Sequence, residues 1–380
     1  MPYPSVDRLQ KMLAADVFHY AKDAKKASGR ALGTLVEIIT FYLLKSWGFE
    51  NHMAIERPLP EYANADITHN VEYSLHPATS VQSLEFDRHE LPLTAKKITR
   101  HSGLARCRIH ENVFKSNALL SKDLVLRNCC TICDLGGRFY NANLETLTDA
   151  QARCTVVALL ARPFAIFECK RVGVEEGVKK GPQTIEKAKQ GAYVARAVSS
   201  LQKIRFSDGR IGGLIQKQDG SFICKDYYQL MAEIIAGDSA ELLSQFILTV
   251  GVVSNHGNWF TSENHNKELR VLAQSYDWLL FLTDAGLAQF IDELLLHPKQ
   301  SLVAAREVFL ASYTGEKGVN QFTKVQIALS ADAALKEYFA ANLDTIEGWF
   351  NVIAPAKKGL SVLKSEMGTL KRKKWEEIHS

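Results

Sequence analysis

The sequence predicts an α/β fold, with a mixed central sheet flanked by helices and a mostly helical C-terminal region. Three observations carry this. Phe164–Arg171, Phe246–Ser254 and Trp278–Leu282 are short apolar runs of the kind that form strands buried on both faces. Helical patterns follow them, and strands alternating with helices favour parallel pairing. Ala31–Phe49 is apolar almost all round, as a buried helix must be.

Taken in order, the helix of Ala31–Phe49 should stop at Gly48 and holds one acid, Glu37, which in such surroundings is either paired or functional. Pro58, Pro60 and Pro77 punctuate an extended region in which Val71–Leu75 alternates like a half-exposed strand. A strand over Cys129–Asp134 leads to Gly136-Gly137, a turn or bulge signal. Thr148 is placed to cap a short helix reaching about Arg162, and Pro163 restarts the chain before the Glu168 strand. Pro182 suits the first turn of a helix running to about Arg205. Asp219-Gly220 between Ile211–Gln218 and Ser221–Cys224 signals a hairpin. Ala285–Leu296 reads as a helix, and from Pro298 to Ser380 helices dominate. The expected division is a core over 1–297, carrying an insertion around 51–120, and a helical region over 298–380.

With 380 residues, 46% hydrophobic and 23% charged, the chain has the composition of an ordinary globular protein. The net charge of +4 is mild, but its distribution is uneven. Lys96, Lys97, Arg100, Arg106 and Arg108 lie in a stretch without an acid, and Val178–Arg205 holds seven basic residues, Lys187 and Lys189 among them, against Glu186 alone. Such segments can neutralise phosphates, and they equally suit solvated helix faces. No signal-peptide pattern opens the sequence, and no apolar run suggests a span of about 20 residues across a bilayer. Seven cysteines without a regular framework fit a reducing cytoplasm. Cys129, Cys130 and Cys133 lack a second Cys-x-x-Cys and read as buried structural residues.

The most informative stretch is Phe164-Ala165-Ile166-Phe167-Glu168-Cys169-Lys170-Arg171. Alternate strand residues share a face, so Glu168 and Lys170 should stand together at the strand's exit, roughly 6–7 Å apart at Cβ. An edge ion pair would satisfy that pattern. So would a carboxylate able to hold a hard divalent cation, beside an ammonium able to polarise water, which is the chemistry of metal-dependent phosphodiester hydrolysis. A second acid-x-Lys triplet, Asp23-Ala24-Lys25, lies in a polar helical stretch and reads as an exposed face. Phosphate-loop, serine-hydrolase and zinc-protease motifs are absent.

A buried helix with Gly33-x-x-x-Glu37, then a strand and turn carrying an acid, then a strand ending Glu168-x-Lys170, then a helix containing Gln190-Gly191-Ala192-Tyr193, is an order that resembles the PD-(D/E)XK nucleases and, within them, type II restriction endonucleases. The resemblance covers roughly Ala31 to Leu296. It implies a restriction-endonuclease-like core and a site-specific double-stranded DNA endonuclease using Mg²⁺ to leave 5′-phosphate and 3′-hydroxyl ends. Glu168 becomes a metal ligand, Lys170 the catalytic ammonium and the Cys169 carbonyl a further ligand. Glu37 becomes a supporting acid, with a structural pair to a lysine as its alternative. No Pro-Asp pair precedes the strand, so the upstream acid is open between Asp134, which is preferred, Asp123 and Glu145. Gln190 and Tyr193 would brace the catalytic strand or touch DNA.

Double-strand cutting with one site per chain favours a symmetric homodimer on a palindrome. Lys96, Lys97, Arg100, Arg106, Arg108, Lys187, Lys189 and Gln190 are the expected DNA contacts. Asn255–Asn258 and Asn264–Lys267 are candidates for base readout or simply turns. The rival readings are a repair or RNA-processing nuclease of the same fold and a non-catalytic DNA-binding protein whose Glu168–Lys170 pair is structural.

Overall fold

In the computed structural model, residues 10–19, 23–58, 71–104, 117–135, 137–173, 194–256, 267–313 and 320–379 are described. Among these residues the chain is mixed α/β, with four sheets. Its strands are, in order, β1 Met53–Ile55, β2 Tyr73–Leu75, β3 Ala78–Asp87, β4 Leu93–Thr94, β5 Ala118–Leu120, β6 Val125–Arg127, β7 Cys130–Leu135, β8 Arg138–Leu147 and β9 Gln151–Leu160. Then come β10 Ala165–Gly173, β11 Gln202–Arg205, β12 Ile211–Gln216, β13 Phe222–Asp226, β14 Leu248–His256, β15 Trp278–Leu282, β16 Gln326–Ala328 and β17 Phe350–Ala354.

The principal sheet has six strands in the order β1-β2-β10-β14-β15-β17. β10, β14 and β15 run parallel at its centre, and β2 and β17 pair antiparallel outside them. Parallel strands need cover on both faces. On one face lies the 23-residue helix α1, Ala24–Ser46, in the same core as Phe167, Cys169, Val250, Val252 and Leu280. On the other, Val194 and Val198 of the helical turn 194–198 pack with Ile166 and Ile247. Leu272 of helix α2, Lys267–Ser275, joins Val253, Leu279 and Phe281 there.

Helix α1 ends where the sequence placed its stop, the chain reversing through Gly48 at φ +80°. Its stretch Ala27–Ser46 has the length and hydropathy of a bilayer span, contrary to expectation, yet 67% of that window is buried inside the fold. It is a core helix, apolar all round because sheet and neighbouring helices surround it.

Two further differences have clear causes. Strand β2 is fully buried rather than half-exposed, because β1 and β10 flank it. The expected Thr148–Arg162 helix is strand β9, paired with β3 on one side and β8 on the other. Its Cys-Thr-Val-Val core is β-prone, and Thr148 caps a tight turn instead, accepting the Gln151 N–H at 3.0 Å. Strands β3, β9, β8 and β7 form an antiparallel sheet inserted between β2 and β10. The Asp219-Gly220 hairpin forms between β12 and β13 with Gly220 at φ +81°. Arg205 lies in β11, so the preceding helix ends well short of it.

Over 298–380 the described residues are mostly helical, as expected, but also supply two strands. β17 forms an edge of the principal sheet, and β16 joins the order β16-β6-β5-β4.

Candidate active site

The sheet forks where Glu168 stands. Strand β2 pairs with β10 only from Ala165↔Leu75 to Phe167↔Tyr73. Beyond Phe167, β10 continues against β14 alone, with Glu168 opposite Gly251 and Lys170 opposite Val253. At the fork the Glu72 backbone N–H turns to a side chain, donating to Glu168 Oε2 at 3.2 Å. Lys170 Nζ donates to Glu168 Oε1 at 2.6 Å, so both predicted residues share one face and meet. Glu168 is only 2% exposed, while the Lys170 side chain keeps 24% of its surface open.

Three more carboxylates gather beside this pair, and Lys324 links them. Its Nζ contacts Glu72 Oε1, lies 2.8 Å from Glu56 Oε1 and 3.4 Å from Glu37 Oε2. Glu37 projects from α1, whose backbone carbonyl at the same residue accepts the Tyr73 hydroxyl at 2.8 Å. Burial pushes the Glu37 carboxyl up, against the lowering effect of Lys324; Glu56 adds to the rise and Lys170 opposes it. Lys324 is 6% exposed. Its backbone is pinned to β6's exit, where Asn128 donates from Nδ2 to the Lys324 carbonyl and from its N–H to the Val325 carbonyl.

Counted as ionised, Glu37, Glu56 and Glu72 set three negative charges around the single ammonium of Lys324, with the Glu168–Lys170 pair alongside. Oxygen donors with that excess suit a hard divalent cation. Among the described residues no three acidic, histidine or cysteine side chains are grouped as a metal site. Glu37, Glu56 and Glu72 are arranged around an ammonium instead.

Asp134 has a different setting. It lies on β7, in the inserted sheet, and its two carboxylate oxygens accept from Arg57 Nη2 at 2.9 and 3.2 Å. That guanidinium stacks over Phe139, 3.8 Å from the ring centre. Asp123 is exposed in the β5–β6 turn, and exposed Glu145 on β8 takes the Thr155 hydroxyl. The acid whose backbone bonds to Glu168 is Glu72, its own carboxylate lying on Lys324. The sequence concealed it, because the acid of an alternating strand looks like a solvent-facing position. Lys324 and Glu56 gave no local signal at all.

Cys169 turns its side chain toward α1, where burial holds the thiol well above its usual range despite the Thr40 hydroxyl. Cys129, Cys130, Cys133 and Cys154 are buried, and desolvation pushes Cys129, Cys130 and Cys154 up to about 12. Lys96 and Arg100 are exposed one turn apart on the short helix Ala95–His101, while Lys97 donates to the Glu90 carbonyl. Arg106, Arg108, Lys187, Lys189, Gln190 and Tyr193 lie outside the described residues, as do 257–266 between the two Asn-rich segments. Comparison with protein-family models, with curated proteins and with solved structures finds no match to this chain.

Proposed function

We propose that this protein is a Mg²⁺-dependent endonuclease of restriction-endonuclease-like fold, acting at specific sequences in double-stranded DNA. The observation that carries the proposal is the fork between β2 and β10, where the Glu72 backbone N–H donates to the Glu168 carboxylate and Lys170 stands 2.6 Å from Glu168. A buried helix carrying Glu37, a strand carrying an acid and a strand bearing Glu168-x-Lys170 support this reading as parts that the sequence resemblance implied, while its helix with Gln190 and Tyr193 lies outside the described residues. Glu72 replaces Asp134 as the upstream acid in this reading, because Asp134 is committed to Arg57.

Glu72, Glu168 and the Cys169 carbonyl would hold Mg²⁺, which when bound shields the phosphate, lowers the pKa of water and stabilises the leaving oxygen. Lys170 does the rest of the positioning. Its partly open ammonium can hydrogen-bond an attacking water and offset charge building on the phosphate. The backbone sets its position, because Lys170 lies on the strand flanked by β14. Exposed Lys96 and Arg100 supply phosphate contacts that orient without specifying sequence. A symmetric homodimer would place one such centre on each strand of a palindrome.

Incubation of the purified protein with plasmid and phage DNA in Mg²⁺, with EDTA as control, tests this. Discrete fragments are the expected result. Degradation from ends or at flaps would instead indicate a repair nuclease, and cleavage of RNA alone an RNA-processing one. Intact DNA and RNA in every lane would remove the catalytic reading.

A further inference from the structure

The four carboxylates beside the fork do not converge on an open point. Three of them, Glu37, Glu56 and Glu72, converge on the ammonium of Lys324. These acids come from separate elements whose backbones are fixed without it. Glu37 is on α1 and bonded through its carbonyl to Tyr73. The Glu56 N–H donates to the Glu72 carbonyl at 3.2 Å, and the Glu72 N–H donates to Glu168. Lys324 is therefore not the element that assembles the cluster. It is delivered to it by a rigid strand-edge segment, through the Asn128 bonds. A lysine 6% exposed, with three carboxylates around its one ammonium, acts as an internal counter-ion.

Resting on the nuclease reading above, we infer that Lys324 is a tethered cation that competes with the divalent metal for Glu72. The ammonium and the metal seek the same carboxylate oxygens, so one must yield ground when the other binds. An ammonium within 4 Å of a metal ligand opposes a second cation there by simple Coulomb repulsion. The built-in charge keeps the buried acids compensated before the metal arrives, and sets the concentration at which the metal takes over. Lys324 is thus a positioning residue, acting through Glu72 and touching neither water nor phosphate.

The test titrates Ca²⁺ and Mg²⁺, in the absence of nucleic acid, into the wild type, Lys324→Met and Lys324→Arg by calorimetry, with melting temperature as a parallel readout. Lys324→Met should bind either cation roughly tenfold more tightly or better. Lys324→Arg, which keeps the charge, should stay near the wild type. Equal or weaker binding by Lys324→Met, or no binding by any of the three, overturns the inference. Lys324→Gln serves if the methionine variant does not fold. On the wild type alone, Ca²⁺ should raise pulse acetylation of Lys324 as read by mass spectrometry, and unchanged labelling also overturns it. DNA cleavage without any such competition would sink this inference and leave the nuclease reading standing. Competition without cleavage of any nucleic acid would do the reverse.

Discussion

The N–H of Glu72 donates to Oε2 of Glu168 at 3.2 Å, across the point where two neighbouring strands stop pairing. A strand ladder is thereby handed from a backbone acceptor to a carboxylate. The cost of burying Glu168 is offset by this bond and by Lys170, since a buried charge is tolerated only when paired and hydrogen-bonded.

Glu168→Ala and Lys170→Ala should each lower DNA cleavage by roughly 10²–10³-fold or more. Circular dichroism and gel-shift binding should stay close to the wild type. Wild-type cleavage in either variant removes the assignment.

Glu72→Gln and Asp134→Asn separate the two candidate upstream acids. Glu72→Gln should abolish cleavage. Asp134→Asn should retain it and lose roughly 1 kcal/mol in urea unfolding, since the Arg57 pair is partly open to solvent. The opposite pattern of activities would return the role to Asp134.

Gly251 lies beside Glu168 in the register, and a Cβ there would come within 2.7 Å of the Tyr276 ring. Gly251→Ala should therefore cost about 1–3 kcal/mol through overpacking, measurable by calorimetry. An unchanged melting temperature would show that Tyr276 moves aside freely.

Stability should fall as the pH drops from 6.5 toward 4. Burial lowers the His76 pKa to about 3 and the His52 pKa to about 4, so both stay neutral in the fold while the unfolded chain takes up protons below about 6.5. Stabilisation is full above that value and drains as the pH falls toward the folded values, by about 1.4 kcal/mol per pH unit for each histidine. His76 is fully buried, and that desolvation outweighs the Leu160 carbonyl, whose bond to the ring favours the charged form. His76→Gln should flatten the profile of melting temperature against pH. A profile with the wild-type slope would refute this account.

The central strands were legible because apolar runs buried on both faces leave an unbroken signature, and β15 spans the residues expected of it. Helix α1 and the hairpin at Gly220 were legible for equally local reasons. Strand β9 was misjudged because its fate depends on two neighbours distant in sequence, whose pairing overrides any helical cap at Thr148. At the site the same division holds. Glu168 and Lys170 are two residues apart, so strand geometry alone brings them together. Glu72 arrives across 96 positions and Lys324 from the segment just before β16, and no spacing rule reaches that far. Asp134 looked suitable because it ends a strand, but Arg57 was there to claim it.

Lys324 and β17 both come late in the sequence, yet one neutralises acids laid down far earlier and the other borders the principal sheet. During synthesis, the ribosome must release everything through Lys324 before those acids acquire their resident amine. A nascent chain stalled short of that point would carry an uncompensated nest of negative charge and a raw hydrophobic margin along β15, making premature termination products natural clients for chaperones and proteases.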